Sequence, residues 1–101
     1  MFHLNDIHYF DGDNRRVKIE TATHTYHCYS TIENLFSKIN MEQAGFIRLH
    51  KSYAVNLRFV AKFSVRMVTL FDGEEFTVSA PFKENAQRQY EAYSEKIGRQ
   101  R

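Results

Sequence analysis

The spacing of apolar and polar residues changes twice along this chain. Near the start, DIHYF at 6–10 is a short apolar segment, and DGDN at 11–14 has the composition of a turn. Apolar and charged residues then alternate in RVKIET at 16–21, and THTYHCYS at 23–30 is rich in threonine and tyrosine, which favour strands. We therefore predict three short strands that form a small antiparallel meander.

The next segment, STIENLFSKIN, has a helical period. Ser30 and Glu33 have the spacing of a capping box, in which each side chain satisfies a free backbone N–H group. Asn40 and Gly45 mark the exit from the segment. The apolar residues fall on one face of the predicted helix: Ile32, Leu35, Phe36 and Ile39.

After Gly45 the pattern returns to short strands. Asp72 and Gly73 have the composition of a tight two-residue hairpin turn between the last two of them. The predicted strands are FIRL at 46–49, YAVNL at 53–57, VAKFSV at 60–65, MVTLF at 67–71 and EEFTVS at 74–79.

A second helical pattern occupies the end of the chain. We predict a terminal helix at about 83–97, with Gly98 as its stop and an apolar face that packs on the sheets. The fold class is therefore mostly β, with short antiparallel strands, one short internal helix and a C-terminal helix. The apolar residues of the terminal helix are Ala86, Tyr90, Tyr93 and Ile97.

Length and composition indicate one domain, residues 1–101. Hydrophobic residues make up 43% of the sequence and aromatic residues 15%, which is enough for one packed core. We identify no apolar run long enough to span a membrane and no signal peptide, so we expect no membrane contact by this segment. Cys28 is the single cysteine, which excludes an internal disulfide and favours a reducing, cytoplasmic location.

The charges are distributed unevenly, although the net charge is only +2. Residues 1–45 carry four basic and six acidic residues, whereas 46–101 carry ten basic and six acidic ones. Within 46–66 all five charged residues are basic. Such a stripe indicates a polyanionic partner, and a solvated charged face is an equally common explanation.

Metal binding and catalysis have little support in the sequence. His24 and Cys28 would share one face of a strand, and His27 would lie on the opposite face. Two converging ligands are fewer than the three or four of a zinc site, so we expect no metal and no cofactor. No phosphate loop or catalytic signature is present, and we expect no enzyme. The remaining enzymatic alternative uses Cys28 with a histidine.

Nucleic-acid binding fits the residue types better. Cationic and amide side chains on exposed loops contact phosphates and base edges, with arginine suited to guanine and asparagine to adenine. The first N–H groups of the terminal helix could also meet a phosphate. The candidate DNA-binding residues are Asn14, Arg15 and Arg16 at the 11–16 turn, Lys51 and Ser52 at a strand corner, and Ser79 and Lys83 at the junction 79–83.

In this order, the strands, the helix, the string FIRLHKSYAVN and the DG hairpin resemble a LytTR-type DNA-binding domain. Residues 46–56 match the most diagnostic string of that family, F-x-R-x-H-(R/K)-S-(Y/F)-x-V-N. The resemblance covers nearly the whole chain, including the opening strand and hairpin, the helix YSTIENLFSKI and the segment VTLFDGEEFTVS. It implies an elongated fold that binds duplex DNA through loops rather than through a recognition helix.

The resemblance also implies positions of DNA contact. The family's hairpin-tip position corresponds to Asn14 or Arg15, and the residue after the motif histidine corresponds to Lys51. The family usually places an arginine after its V-S pair, where this chain has Ala80 and Pro81. Neither side chain donates a hydrogen bond, so either Lys83 substitutes there as a phosphate contact or base readout is reduced.

Three further motif residues are assigned a structural role. We expect Arg48 and Asn56 to bond backbone carbonyl groups at the bends, and His50 to order the corner. By strand alternation, Arg48, His50 and Ser52 should share one side.

Our hypothesis is sequence-specific binding of promoter duplex DNA by the output domain of a bacterial transcription regulator, within a two-component response regulator system. The expected partners are direct repeats in duplex DNA, an upstream receiver or sensor domain, and a second copy of the domain as a homodimer on DNA. The alternative is a protein-interaction module with the LytTR fold and reduced or lost sequence-specific binding, which the Ala80–Pro81 departure favours.

Overall fold

The computed structural model of the chain describes residues 4–13, 15–38 and 40–99. The predicted Asn14 and Ile39 positions and the Ile97 side chain lie outside this description. Two α-helices, α1 (Ile32–Lys38) and α2 (Lys83–Arg99), and three 3-10 turns, Leu4–Asp6, Leu57–Phe59 and Ala80–Phe82, occur in the described residues. The strands found there are β1 (Ile7–Asp13), β2 (Arg16–Thr21), β3 (Thr25–Tyr29), β4 (Phe46–His50), β5 (Tyr53–Asn56), β6 (Val60–Phe63), β7 (Met67–Leu70) and β8 (Glu75–Thr77).

The strands form two antiparallel sheets. The larger sheet has the strand order β3-β2-β1-β5-β4, and the smaller has the order β6-β7-β8. The molecule is moderately longer than wide, with extents of 37 × 31 × 27 Å. The predicted fold class, mostly β with one short internal helix and a C-terminal helix, is therefore confirmed.

Strands β4 and β5 of the larger sheet are buried on both faces. Phe46 and Ala54 pack in a core that includes Ile32 of α1 on one face, whereas Ile47 and Val55 pack on the other face with residues of the smaller sheet and α2. Successive residues of a strand point to opposite faces, so consecutive apolar residues supply both cores. This arrangement explains why the motif FIRLHKSYAVN lacks a simple alternation of apolar and polar residues.

The first hairpin differs from its predicted form. Gly12 lies within the β1–β2 ladder, and the chain reverses between Asp13 and Arg16, so the predicted turn at 11–14 is wrong. A Cβ atom at Gly12 would lie 3.3 Å from Cγ1 of Ile32, which is tighter than most real contacts. Glycine at this position therefore lets α1 pack closely on β1.

The cap of α1 also differs from the prediction. The Thr31 hydroxyl accepts a hydrogen bond from the Asn34 N–H (3.0 Å), which is the N-cap interaction of this helix. The Ser30 N–H instead donates to the carbonyl of Arg15 (2.8 Å), so it is not free for a capping box with Glu33. The predicted box is wrong because the backbone of Ser30 is already bonded to the first hairpin.

Gly73 and Gly98 take positions that differ from those predicted. Gly73 has a φ of +95° and closes a three-residue hairpin loop, in which Leu70 and Glu74 are joined by a 2.8 Å backbone hydrogen bond. The predicted two-residue turn is therefore wrong, although glycine still supplies the left-handed conformation. Gly98 lies inside α2 rather than at its stop, because the helix continues to Arg99.

A bulge changes the direction of side chains in the motif. The pairing register of β4 and β5 shifts between Arg48 and His50, so that Arg48 pairs with Ala54 and His50 pairs with Tyr53. Since Ala54 and Tyr53 are successive residues, their side chains point to opposite faces. The prediction that Arg48 and His50 share one side is therefore wrong, because the bulge inserts a residue that alternation does not count.

Alkaline pH should destabilise the fold through Tyr9 and Lys18. Burial raises the pKa of Tyr9, although a hydrogen bond from Lys18 lowers it, and this hydrogen bond raises the pKa of Lys18. Both groups hold their protons more tightly in the folded state than in the unfolded state. Their contribution to the stability of the fold is therefore present below about pH 10 and lost above it. The urea midpoint should fall between about pH 9 and pH 11. Tyr9→Phe should show a smaller fall, and an equal fall in both proteins would contradict this assignment.

Candidate nucleic-acid interface

The candidate residues collect at one end of the larger sheet. In an antiparallel sheet, the end of one strand lies next to the start of its neighbour, so loops that are distant in sequence become neighbours. We call the end of the larger sheet that carries the candidate residues the basic end. It is formed by the end of β1 at Asp13, the start of β2 at Arg16, the end of β3 at Tyr29, the end of β4 at His50 and the start of β5 at Tyr53.

Backbone hydrogen bonds fix these segments to each other. The Gly12 N–H donates to the Ser52 carbonyl, which holds the first hairpin against the β4–β5 corner (2.8 Å). The Ser79 N–H donates to the Leu49 carbonyl, also at 2.8 Å, and brings the junction 79–83 to the same corner. The three predicted segments are therefore neighbours in the structure.

Arg48 lies at the centre of these segments. Its Nη2 donates to the carbonyl of Lys51 at 3.2 Å, and its guanidinium carbon lies 5.0 Å from the ring centroid of Phe82 and 5.9 Å from that of Phe36. Both distances are within the range of cation–π contacts. Arg48 thus connects the β4–β5 corner with α1 and with the turn before α2. Its buried Nε atom has no hydrogen-bond partner in the described part of the chain.

His50 orders the corner through its ring. The Ser52 N–H donates to His50 Nδ1 at 3.0 Å, so the imidazole acts there as an acceptor. The ring also lies 4.9 Å from that of Tyr53, measured between centroids. These contacts leave the Lys51 side chain exposed at the tip of the corner.

Asn56 lies at the opposite end of β5 and makes long-range contacts there. Its Nδ2 donates to the Ile7 carbonyl at 2.9 Å, and its Oδ1 accepts from the Arg58 N–H at 3.0 Å. The side chain is fully buried. Asn56 therefore joins the start of β1 to the 3-10 turn after β5, away from the basic end.

The exposed cations of the basic end have few acidic partners. Arg15, Arg16 and Lys51 are exposed, and none forms an ion pair with a carboxylate among the residues that the structure describes. Asp13 lies nearby in the same hairpin, so the surface is not uniformly basic. Ser52, Ser79 and Lys83 are half-buried, and Asn14 lies outside the described residues.

The junction before α2 differs in detail from the prediction. Residues Ala80–Phe82 form a 3-10 turn in which the Phe82 N–H donates to the Ser79 carbonyl at 2.9 Å and the Lys83 N–H donates to the Ala80 carbonyl. Pro81 has no N–H. The Lys83 N–H, the first of α2, is therefore not free for a phosphate, because the preceding turn already uses it.

Two residues at or near the basic end were not among the sequence-based candidates. Arg66 is exposed, and its carbonyl accepts from the Val78 N–H at 2.9 Å, next to the junction 79–83. The basic stripe at 46–66 contained this signal, but the sequence does not reveal that the β6–β7 turn approaches the junction. Tyr29 is 87% exposed at the end of β3, and strand alternation alone does not predict such exposure.

The described residues offer neither a metal site nor a membrane-spanning helix. Among residues 4–13, 15–38 and 40–99, no three histidine, cysteine or acidic side chains are arranged to hold a metal ion. Cys28 is half-buried and unpaired by any disulfide. None of the helices in the described residues is long and apolar enough to cross a membrane.

Comparison with known proteins identifies the family. No curated protein matches the chain. A solved structure, the LytTr DNA-binding domain of a Bacillus cereus protein described as a methyl-accepting/DNA response regulator, matches with a TM-score of 0.74 at 14% identity. The match covers 84% of this chain and 81% of that chain, and it shows that the fold is shared. The family model for the LytTr DNA-binding domain matches residues 1–91, and the chain therefore belongs to the LytTr DNA-binding domain family.

Proposed function

We propose that the basic end binds duplex DNA in a sequence-specific manner, as the output domain of a bacterial transcription regulator. The observation that carries the proposal is that backbone hydrogen bonds of 2.8 Å to the Ser52 and Leu49 carbonyls join three loops that are distant in sequence. A rigid set of loops can present cations and hydroxyl groups to DNA with defined spacing. No helix is required for this mode of contact.

Phosphate contacts are assigned to the β4–β5 corner and to the start of α2. Lys51 is exposed at the tip of the corner, with its backbone held by Arg48 and by the neighbouring His50–Ser52 hydrogen bond. Lys83 begins α2 beside the same corner. Contacts of this kind position the domain on the duplex and contribute a salt-dependent part of the affinity.

Base readout is assigned to the first hairpin. Arg15 is exposed at the reversal between β1 and β2, and its carbonyl is fixed by the Ser30 N–H. A fixed backbone limits the directions that the long side chain can take, which favours bidentate contact with guanine in a groove. Asn14 is the second candidate of this hairpin, by its residue type. Ala80 and Pro81 are exposed but cannot replace the arginine of the family pattern.

The wider setting is also a proposal. A domain with one such interface would recognise direct repeats by binding as two copies, and an upstream receiver or sensor domain would control that binding. This setting corresponds to a two-component response regulator located in the cytoplasm. The role as an output domain predicts that the isolated chain binds DNA without catalysing a reaction.

A second candidate function follows from the junction 79–83. Because Ala80 and Pro81 are exposed and offer no side-chain donor, this junction, which adjoins the basic end, resembles a protein-contact surface more than a base-reading one. The alternative function is that of a protein-interaction module with weak, non-specific affinity for DNA. It differs from the first in a measurable way, since it predicts no preference between DNA sequences.

Fluorescence anisotropy on two duplexes distinguishes these functions. One duplex carries LytTR-type direct repeats, and the other has the same composition in scrambled order. Specific binding predicts at least a thousandfold preference for the repeats at physiological salt, on the order of that of other specific DNA-binding proteins. Equal affinity for both duplexes, together with co-purification of a partner protein, would support the interaction module instead.

Two substitutions in the same assay test the division of roles. Arg15→Ala should reduce the preference for the repeats by roughly 5- to 150-fold, the cost of one bidentate base contact. Lys51→Ala should weaken binding to the repeat duplex and to the scrambled duplex by the same factor, and it should reduce the salt slope by about 1. If Lys51→Ala leaves both affinities unchanged at low salt, the assignment of the corner to a phosphate is wrong.

A further inference from the structure

Tyr29 is the most exposed of the large hydrophobic side chains in the described residues. It is 87% exposed at the end of β3, which is one of the two edge strands of the larger sheet. Its hydroxyl makes no hydrogen bond within the part of the chain that the structure describes. The side chain therefore contributes little to the fold, and an exposed aromatic ring of this size is a candidate contact for a partner.

The neighbours of Tyr29 are cationic. It pairs directly with Arg16 across the β2–β3 ladder, and the Arg16 guanidinium carbon lies 6.0 Å from the centroid of the tyrosine ring. The adjacent Ser30 N–H is bonded to the Arg15 carbonyl, so the backbone next to Tyr29 is fixed to the hairpin tip. An aromatic ring beside one arginine, next to a hairpin tip that carries a second, is suited to a polyanion rather than to an apolar partner surface.

The position of Tyr29 in the sheet favours one kind of contact. From β3 to β4 the sheet is five strands wide, which corresponds to about 19 Å at the usual strand spacing. Lys51 lies at the β4–β5 corner, whereas Tyr29 lies at the opposite margin of the basic end. A side chain at the margin of a DNA interface meets the sugar–phosphate backbone at the flank of the bound site.

We propose that Tyr29, oriented by Arg16, is a further DNA contact that binds the sugar–phosphate backbone at the flank of the site. The hydroxyl donates a hydrogen bond to a phosphate oxygen, and the open face of the ring packs on a deoxyribose. The proposal rests on the proposed function, because it needs duplex DNA at the basic end. It extends the interface by a residue type that charge and motif patterns do not reveal.

Anisotropy titrations of the wild type, Tyr29→Ala and Tyr29→Phe on the repeat and scrambled duplexes test this proposal. Tyr29→Ala should bind both duplexes roughly tenfold more weakly than the wild type, because it loses a hydrogen bond to a charged phosphate. Tyr29→Phe should weaken binding nearly as much as Tyr29→Ala, because the hydroxyl that it lacks makes the proposed hydrogen bond. Phe71→Ala is the matched control, because Phe71 is 74% exposed on the β7–β8 loop and should bind DNA like the wild type.

The outcomes separate this inference from the proposed function. If the wild type shows no salt-dependent affinity for either duplex, the proposed function fails and the role of Tyr29 fails with it. If the wild type binds but Tyr29→Ala binds equally well, only the role of Tyr29 is overturned. An effect on one duplex alone, or wild-type affinity of Tyr29→Phe, would also overturn the backbone contact. Circular dichroism of each variant checks that the sheet remains intact.

Discussion

Replacing Phe46 by alanine should destabilise the domain by about 3–5 kcal/mol, the usual cost of removing a buried aromatic ring. Phe46 is fully buried, and its ring lies 5.3 Å from that of Phe10, between centroids, in the core shared with α1. Its N–H also donates to the Met41 carbonyl at 3.0 Å. The ring therefore holds β4 against the helix and against the loop that precedes the strand.

Urea denaturation of Phe46→Ala and of Phe71→Ala measures this effect with the same chemical change at two sites. Phe71 is 74% exposed, so its replacement should alter the free energy of unfolding by less than about 0.5 kcal/mol. A small domain has a total stability of about 5–15 kcal/mol, so Phe46→Ala should remove roughly a quarter or more of it and lower the urea midpoint clearly. Similar midpoints for the two variants would contradict the core described here.

Much of the fold could be predicted from residue patterns, because most of its elements depend on local sequence. The helical period at 32–39 and the strand segments on either side follow from side-chain spacing alone. The string at 46–56 also identified the family, although its charged residues do not act together. Lys51 is exposed, whereas Arg48 and Asn56 make hydrogen bonds to backbone carbonyl groups.

The errors in the prediction arise where tertiary contacts override local signals. The 11–14 turn was misplaced because Gly12 remains in β1 and packs against Ile32. The capping box failed because the Ser30 N–H is bonded to Arg15, a residue of another hairpin. Each local pattern was sound by itself, and a partner from elsewhere in the chain changed its outcome.

The convergence of the candidate residues could not be predicted from the sequence. It depends on the strand order β3-β2-β1-β5-β4, in which β1 pairs with β5 across more than 40 residues of chain. The contacts of Arg48 with Phe36 and Phe82 likewise join three separate elements. Spacing along the chain carries no information about these pairings. The sequence therefore indicates candidate residues but does not predict which of them lie close together.

The largest expected effect on function is the loss of three cations from the basic end. Arg15, Arg16 and Lys51 are exposed and form no ion pair with a described carboxylate, so they are available to the phosphates and bases of DNA. The triple variant Arg15→Ala/Arg16→Ala/Lys51→Ala should weaken DNA binding by on the order of 10³-fold at low salt, if each charged contact contributes about 1.5 kcal/mol. Because the side chains are exposed, the stability of the fold should change little.

A control of equal charge is available at other positions of the chain. Lys38, Lys62 and Lys96 are exposed cations, and replacing all three by alanine lowers the net charge by the same amount. Lys38 ends α1, Lys62 lies within β6, and Lys96 lies beside Gly45 and Arg58 at the opposite end of the larger sheet. Along α2, Lys96 is about 20 Å from the start of the helix. A difference between the two triple variants would therefore report position rather than net charge.

The most direct measurement is the dependence of the DNA affinity on salt concentration for the wild type and for these two triple variants. Each phosphate contact contributes about 0.9 to the slope of log K against log salt concentration. With Arg16 and Lys51 on phosphates and Arg15 on a base, the variant at the basic end should have a slope smaller than that of the wild type by about 1.8, whereas the charge-matched variant should keep nearly the wild-type slope and affinity. Equal losses in the two variants would contradict the assignment of DNA binding to the basic end.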